Sequence, residues 1–273
     1  MLTTLRWLVF AVAALLMNAP VLITAVTSFK GPREVSSNPS LWIEAPTLAN
    51  YREVLQVTDR LDIYSYLFNS LAAASIGTLL AIALALPAAY AIGREKIGRQ
   101  ALLPLVVNLR AVPLIIFAIP LYVMFQWAGL LDTRLGLGLI LTIVNLPLAL
   151  VILVNGVREV PVELDEAAFV DGGRPIQILF RIITPLCRPA LITTFIFGFI
   201  TAWNEFLFGL LLTTEAAVPM TVGASFFFAT SAGGVKWGVA AAIMIIGALP
   251  PTLLGLLMYR GLTGSMTAGA LRG

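Results

Sequence analysis

The densest chemistry in the chain lies between Arg158 and Arg188. Glu163, Asp165 and Glu166 fall within four positions; Asp171, Gly172 and Gly173 follow, and Arg174 and Arg181 close the group. Pro161 suits a helix start, acids in the first turns suit the helix dipole, and the glycine pair suits a left-handed stop. Acids beside the small Ala167 and Ala168 can pair with a partner's basic groups while its backbone approaches closely. An inner loop lying on its own bundle is an equal alternative from these residues alone. Arg174-Pro175 then opens a second helix, with Ile176, Leu179, Ile182 and Ile183 at helical spacing. A second group is Trp203-Asn204-Glu205, an aromatic face beside an amide and a carboxylate. It can hydrogen-bond a hydroxylated solute or brace neighbouring helices.

What is missing bounds the chemistry as firmly. The 273 residues include no histidine and one cysteine, Cys187. The usual proton shuttle at neutral pH, a disulfide and a Cys/His metal cluster are therefore not expected. The chain carries no Gly-x-x-x-x-Gly-Lys-Ser/Thr phosphate loop. No catalytic, cofactor-binding or metal-binding residue is expected here. The net charge of +3 is mild and fits basic residues at a membrane face better than nucleic-acid binding.

The elements that position these groups are membrane spans. Hydrophobic residues make up 59% of the chain and charged residues 11%, against about 25% charged in soluble domains. A mean hydropathy of +0.96 agrees. A bilayer core asks for about 20 apolar residues per helix, and six stretches qualify: Trp7–Phe29, Tyr66–Gly93, Ala101–Leu130, Leu135–Val157, Pro189–Leu212 and Trp237–Tyr259. Val218–Ala232 is shorter and reads as a loop or interfacial helix. The expected fold is an all-α polytopic membrane protein of six transmembrane helices. Residues 1–273 form one transmembrane domain in this reading, with the loop 158–188 inside it. With the N-terminus inside, ten Lys and Arg residues face the inner side and six the outer, leaving Arg110 within the third span. That bias puts both termini in the cytoplasm. Pro87, Pro104, Pro113, Pro120, Pro147, Pro250 and Pro251 lie inside spans, where each one removes a backbone hydrogen bond.

Glu166-Ala167-Ala168, then Gly172, then an Ile and a Pro some ten residues on, resembles the EAA loop of ABC importer permeases. The sugar-type group, of the maltose-transporter kind, is the closest in pattern. The resemblance runs nearly the whole chain: Thr27-Ser28-Phe29-Lys30, Pro46-Thr47-Leu48-Ala49-Asn50-Tyr51, Phe68-Asn69-Ser70, Trp203-Asn204-Glu205-Phe206, and the tail from Thr267 to Gly273. One departure is Thr184, where the family usually has Leu before Pro185.

The resemblance implies a type I ABC importer permease architecture. It also implies a partner set: two cytoplasmic ATPase subunits that bind ATP and Mg, a second homologous permease, an extracytoplasmic sugar-binding protein, and membrane lipid. Glu163, Glu166, Ala167, Ala168, Asp171 and Gly172 would form the coupling helix against the ATPase. Trp203, Asn204 and Glu205 would border the translocation path, and Ala268, Gly269 and Arg272 would reach the ATPase pair. The implied place is a bacterial or archaeal cytoplasmic (inner) membrane. Two alternatives stay open: an EAA-type permease for a non-sugar solute, and an ion-coupled secondary transporter. The latter would need intramembrane ion-binding groups, and Glu205 is the one acid the spans offer.

Overall fold

Inside a bilayer every backbone N–H and C=O must find a partner within the protein, which leaves long apolar runs little choice but helix. The computed structural model describes residues 2–58, 61–228 and 234–270, and side chains within 4–257. In chain order its helices are α1 (Leu2–Ser28), α2 (Pro32–Ser37), α3 (Ala49–Leu55), α4 (Ile63–Gly93) and α5 (Leu102–Leu109). A 3₁₀ turn (Leu114–Phe117) leads into α6 (Ala118–Trp127), followed by α7 (Arg134–Glu159), α8 (Glu163–Val170) and α9 (Pro175–Ile178). A π turn (Leu179–Ile183) joins α9 to α10 (Thr184–Leu186), and α11 (Arg188–Trp203), α12 (Leu207–Leu212), α13 (Met220–Phe226) and α14 (Trp237–Ala270) complete the set.

Among the described residues, α1, α4, α7 and α14 are each long and apolar enough to cross a membrane. Two bent pairs bring the number to six if each pair counts as one span. Leu102–Leu109 and Leu114–Trp127 meet at 95°, and Pro175–Leu186 and Arg188–Trp203 at 78°. The third stretch is therefore not the straight span its composition implies, while the 78° bend falls at Cys187, just before the fifth. The third breaks over Arg110–Pro113, where Pro113 lacks an N–H and disfavours helical geometry at the residue before it. The fifth stops at Trp203, and α12 is a separate helix after Asn204-Glu205-Phe206. By contrast α4, α7 and α14 run through Pro87, Pro147 and Pro250-Pro251. Met220–Phe226 is helical inside the segment expected to be a loop or interfacial helix, and the end of that segment lies outside the described residues.

The chain divides into two compact units, Met1–Tyr64 with Val222–Leu249 and Ser65–Thr221 with Pro250–Gly273. In the first, Asn50 is the fastener. Its buried side-chain amide donates to the carbonyls of Ser28 (2.9 Å) and Lys30 (2.8 Å). Ser28 and Tyr51 share a hydroxyl hydrogen bond of 2.7 Å, and buried Lys30 donates to the carbonyls of Asn38 and Ser40. The fragments Thr27–Lys30 and Pro46–Tyr51 thus meet as one joint.

In the second unit α4, α7 and α11 cross closely. A Cβ on Gly77 would lie 2.6 Å from Leu141 Cβ, and one on Gly138 would lie 2.5 Å from Ile76 Cγ2. Glycine at such a crossing lets backbones approach where van der Waals contact, rather than water exclusion, drives association. Buried Asn145 of α7 donates to the Gly198 carbonyl of α11 at 3.0 Å. At the other end of these helices Tyr90, Ile92, Leu153, Val154, Val157, Ile178, Leu179, Ile183 and Cys187 form one buried apolar cluster. That cluster seats the loop 158–188.

Candidate functional site

The loop is built as two helices with different tasks. Glu163, Asp165 and Glu166 fill the first turn of α8, as the dipole favours. Gly172 ends it at φ +79°, a conformation open to glycine without strain. The Gly173 N–H then returns to the Ala168 carbonyl at 2.8 Å. Arg174 restarts the chain, its N–H donating to Gln177 Oε1 at 3.1 Å.

α9 and its continuation are anchored. Leu179 and Ile183 are buried in the cluster and Ile182 packs half-buried against it, as their helical spacing predicts; Ile178 is buried too, whereas Ile176 is exposed. Thr184, the residue that departs from the family pattern, has a clear local role. Its hydroxyl donates to the Leu179 carbonyl at 2.7 Å, and its N–H reaches the same oxygen, closing the π turn. A leucine there would lack the hydroxyl bond.

α8 stands out from the bundle. Glu163, Glu166, Ala167, Asp171 and Gly172 are exposed and Ala168 is half-buried. Phe169 and Val170 are 47% and 88% exposed. The result is a small face of acids and apolar side chains on a helix with little self-contact, a surface suited to another protein. Asp165 is the exception at 3% exposed. Its Oδ2 lies 2.9 Å from Arg94 Nε, an ion contact rather than an in-line hydrogen bond. Arg94 also donates to the Val160 carbonyl at 2.6 Å. Neither Arg94 nor the burial of Asp165 stands out in the sequence. One hint was available: an arginine directly after the end of a span.

Trp203, Asn204 and Glu205 do not share one environment. Trp203 is buried and stacks on Phe199 with ring centroids 5.7 Å apart. Asn204 is exposed, its amide turned back to the Ile200 carbonyl at 2.9 Å. Glu205 is half-buried and its carboxylate accepts the N–H groups of Leu207 (3.0 Å), Phe208 (3.0 Å) and Gly209 (3.4 Å). It therefore caps α12 where the span is broken, satisfying donors a helix start leaves open. Arg110 likewise sits at a break, exposed at the end of α5.

Sequence reasoning also missed an anion nest. Asp132, at φ +53°, accepts the N–H groups of Thr214 (3.0 Å), Glu215 (3.1 Å), Ala216 (2.9 Å) and Ala217 (3.0 Å), and the Thr214 hydroxyl. Burial by itself would raise the Asp132 carboxyl, but these four backbone donors outweigh it and hold the group below its ordinary value. Nearby, Arg134 donates to Asn69 Oδ1 at 2.6 Å and lies 5.0 Å over the Phe68 ring. Asn69 donates to the carbonyls of Ala216 and Val218, and Ser70 accepts the Met220 N–H at 2.7 Å. The fragment Phe68-Asn69-Ser70 thus holds the segment after α12. In the tail, Ala268 and Gly269 fall on α14, and Arg272 lies outside the described residues.

Three kinds of likeness complete the picture. Residues 77–267 match the family model described as "Binding-protein-dependent transport system inner membrane component". The chain is 32% identical over 268 residues to the sulfoquinovosyl glycerol transport system permease protein SmoH of Agrobacterium fabrum, covering 96% of this chain and 92% of that one. It is 36% identical over 229 residues to the trehalose/maltose transport system permease protein MalG of Thermococcus litoralis, covering 83% and 82%. Among solved structures it resembles a chain of a bacterial ABC transporter that imports the acidic polysaccharide alginate. There the TM-score is 0.76 and the identity 21%, with 95% of each chain covered, a likeness of fold.

Proposed function

Because the chain belongs to the family of binding-protein-dependent transport system inner membrane components, we propose that it is a permease subunit of an ATP-driven importer that moves a carbohydrate inward. The observation that carries this reading is the identity, over most of the chain, to permeases named for sugar transport in two distant organisms. The exposed acidic and apolar face of α8 supports it, because a helix held out from its own bundle is available to a partner.

In this mechanism the chain and a second permease form the membrane path. Two ATPase subunits bind ATP and Mg and close on each other. Glu163, Glu166, Ala167, Ala168, Asp171 and Gly172 present the coupling surface they carry along. A binding protein delivers the sugar from outside. The path runs beside Trp203-Asn204-Glu205: Asn204 offers an exposed amide, and Glu205 fixes the helix break that makes room for a solute. Ala268, Gly269 and Arg272 reach toward the ATPase pair. Both termini are cytoplasmic, in a bacterial or archaeal inner membrane, and the whole chain acts as one permease domain.

The test is reconstitution. The purified chain alone hydrolyses no ATP. In vesicles with its second permease and ATPases, hydrolysis rises when the binding protein is loaded from a panel of mono- and disaccharides. Uptake that persists without ATP and collapses with an uncoupler refutes the reading. A binding protein that ignores every saccharide and takes a polyamine or phosphate removes the sugar class.

A further inference from the structure

The mechanism above explains how α8 is seized from the cytoplasm but not how its motion enters the membrane helices. α8 offers little to hold. Asp165 is its one buried residue, joined by the half-buried Ala168. Ordinary side-chain packing therefore gives the bundle a weak grip on this helix, and apolar contacts of that kind can slide.

Arg94 supplies a directional grip. It follows α4 directly, with its own N–H bonded to the Tyr90 carbonyl at 2.9 Å. Its guanidinium holds the Val160 carbonyl, just past the end of α7, at 2.6 Å, and contacts Asp165 of α8 at 2.9 Å. The Tyr90 hydroxyl, one turn back on α4, also faces Asp165. One side chain thus joins the ends of two membrane helices to the exposed helix. The pair is sheltered, with side chains 11% and 5% exposed, so solvent screens it weakly. Separating it would leave a charge buried without its partner, which is strongly unfavourable. The contact therefore resists being pulled apart when α8 is displaced.

We propose that the Arg94–Asp165 pair is the positioning tether that makes α8 and the inner end of α4 move as one body, so that displacement of the coupling surface is delivered directly to the membrane core. This inference rests on the importer reading. It assigns a task to two residues outside the docking surface.

The experiment uses the full importer assembled in vesicles, in a Cys187→Ser background. Spin labels on Val162→Cys and Lys96→Cys report the separation of the start of α8 from the end of α4, in nucleotide-free and ATP/vanadate-trapped states. The expected result is one separation that nucleotide does not change. In Asp165→Asn the separation shifts or broadens on trapping. Stimulation of ATP hydrolysis by sugar-loaded binding protein then falls roughly tenfold, within the range of coupling between distant sites, while basal hydrolysis by the assembled ATPases persists. A merely structural role would lower the yield of complex and leave the stimulation per complex intact. A separation that already changes with nucleotide in the parent complex overturns the tether, as does wild-type stimulation in Asp165→Asn. If that variant does not assemble, the parent separation decides alone. Failure of ATP-dependent stimulation in the parent complex instead sinks the importer reading.

Discussion

At the scale of single residues, two acids beside helix ends are engaged by backbone N–H groups. Glu205 caps α12, and Asp132 gathers four N–H groups from Thr214–Ala217. The Asp132 carboxyl is held below its ordinary value. A carboxyl depressed by folding stabilises the protein fully above its unfolded value and loses that contribution as pH falls through the folded one. Thermal unfolding of the detergent-purified chain should therefore lose stability below about pH 4 through this group. In Asp132→Asn that part of the pH dependence disappears. At neutral pH the variant is less stable by about 1–3 kcal/mol, because it leaves donors of the nest unmatched. An unchanged acid limb in Asp132→Asn counts against the nest. Next to it Thr133 caps α7, its side chain accepting the Gly136 N–H. The sequence does not show Asp132's partners, which lie 82 to 85 positions away along the chain.

At the scale of elements, apolar length locates helices well, and breaks within them less well. α4, α7 and α14 begin within three residues of the expected starts. The third and fifth stretches have the right composition, but the third bends by 95° at Arg110–Pro113 and the fifth is interrupted at Asn204–Phe206. Pro113 was visible in the sequence. So were Pro87 and Pro147, which their helices pass through, so proline alone does not tell a kink from a break. The difference lies in whether neighbours satisfy the freed carbonyls. Close crossing of α4 and α7 is a further property of pairs of elements. Gly138→Val places carbon where Ile76 already sits and should cost about 1–3 kcal/mol of stability by overpacking. Gly31→Ala, with nothing within 4 Å of the added carbon, serves as the neutral comparison in the same melting assay. Equal melting of the two variants would contradict the crossing.

At the scale of the whole molecule, the distribution of charge sets the orientation. In the proposed topology the loop 158–188 lies inside, on the side that carries ten basic residues against six. In a Cys187→Ser background, Ser37→Cys should react with a membrane-impermeant maleimide on intact cells. Gln177→Cys should react only after the membrane is opened. Both positions are exposed, so access alone decides the outcome, and the opposite pattern would invert the topology. The surface of α1 agrees with a lipid environment: Trp7 is 72% and Met17 82% exposed, on a helix long enough to span.

The sequence by itself determined the class: a helical, multi-pass chain without a phosphate loop of its own, with six acids and arginines crowded between Glu163 and Arg181. Composition, apolar length and local motifs carry that information because each is a property of neighbouring residues. Tertiary structure alone decided which of the loop's three clustered acids turns inward, where two spans break, and which distant backbone groups hold Asp132 and Asn69. Those outcomes depend on the cost of leaving buried charges and amides unpaired. That cost is settled only when segments far apart in the chain, such as Arg94 and Asp165, come within 2.9 Å.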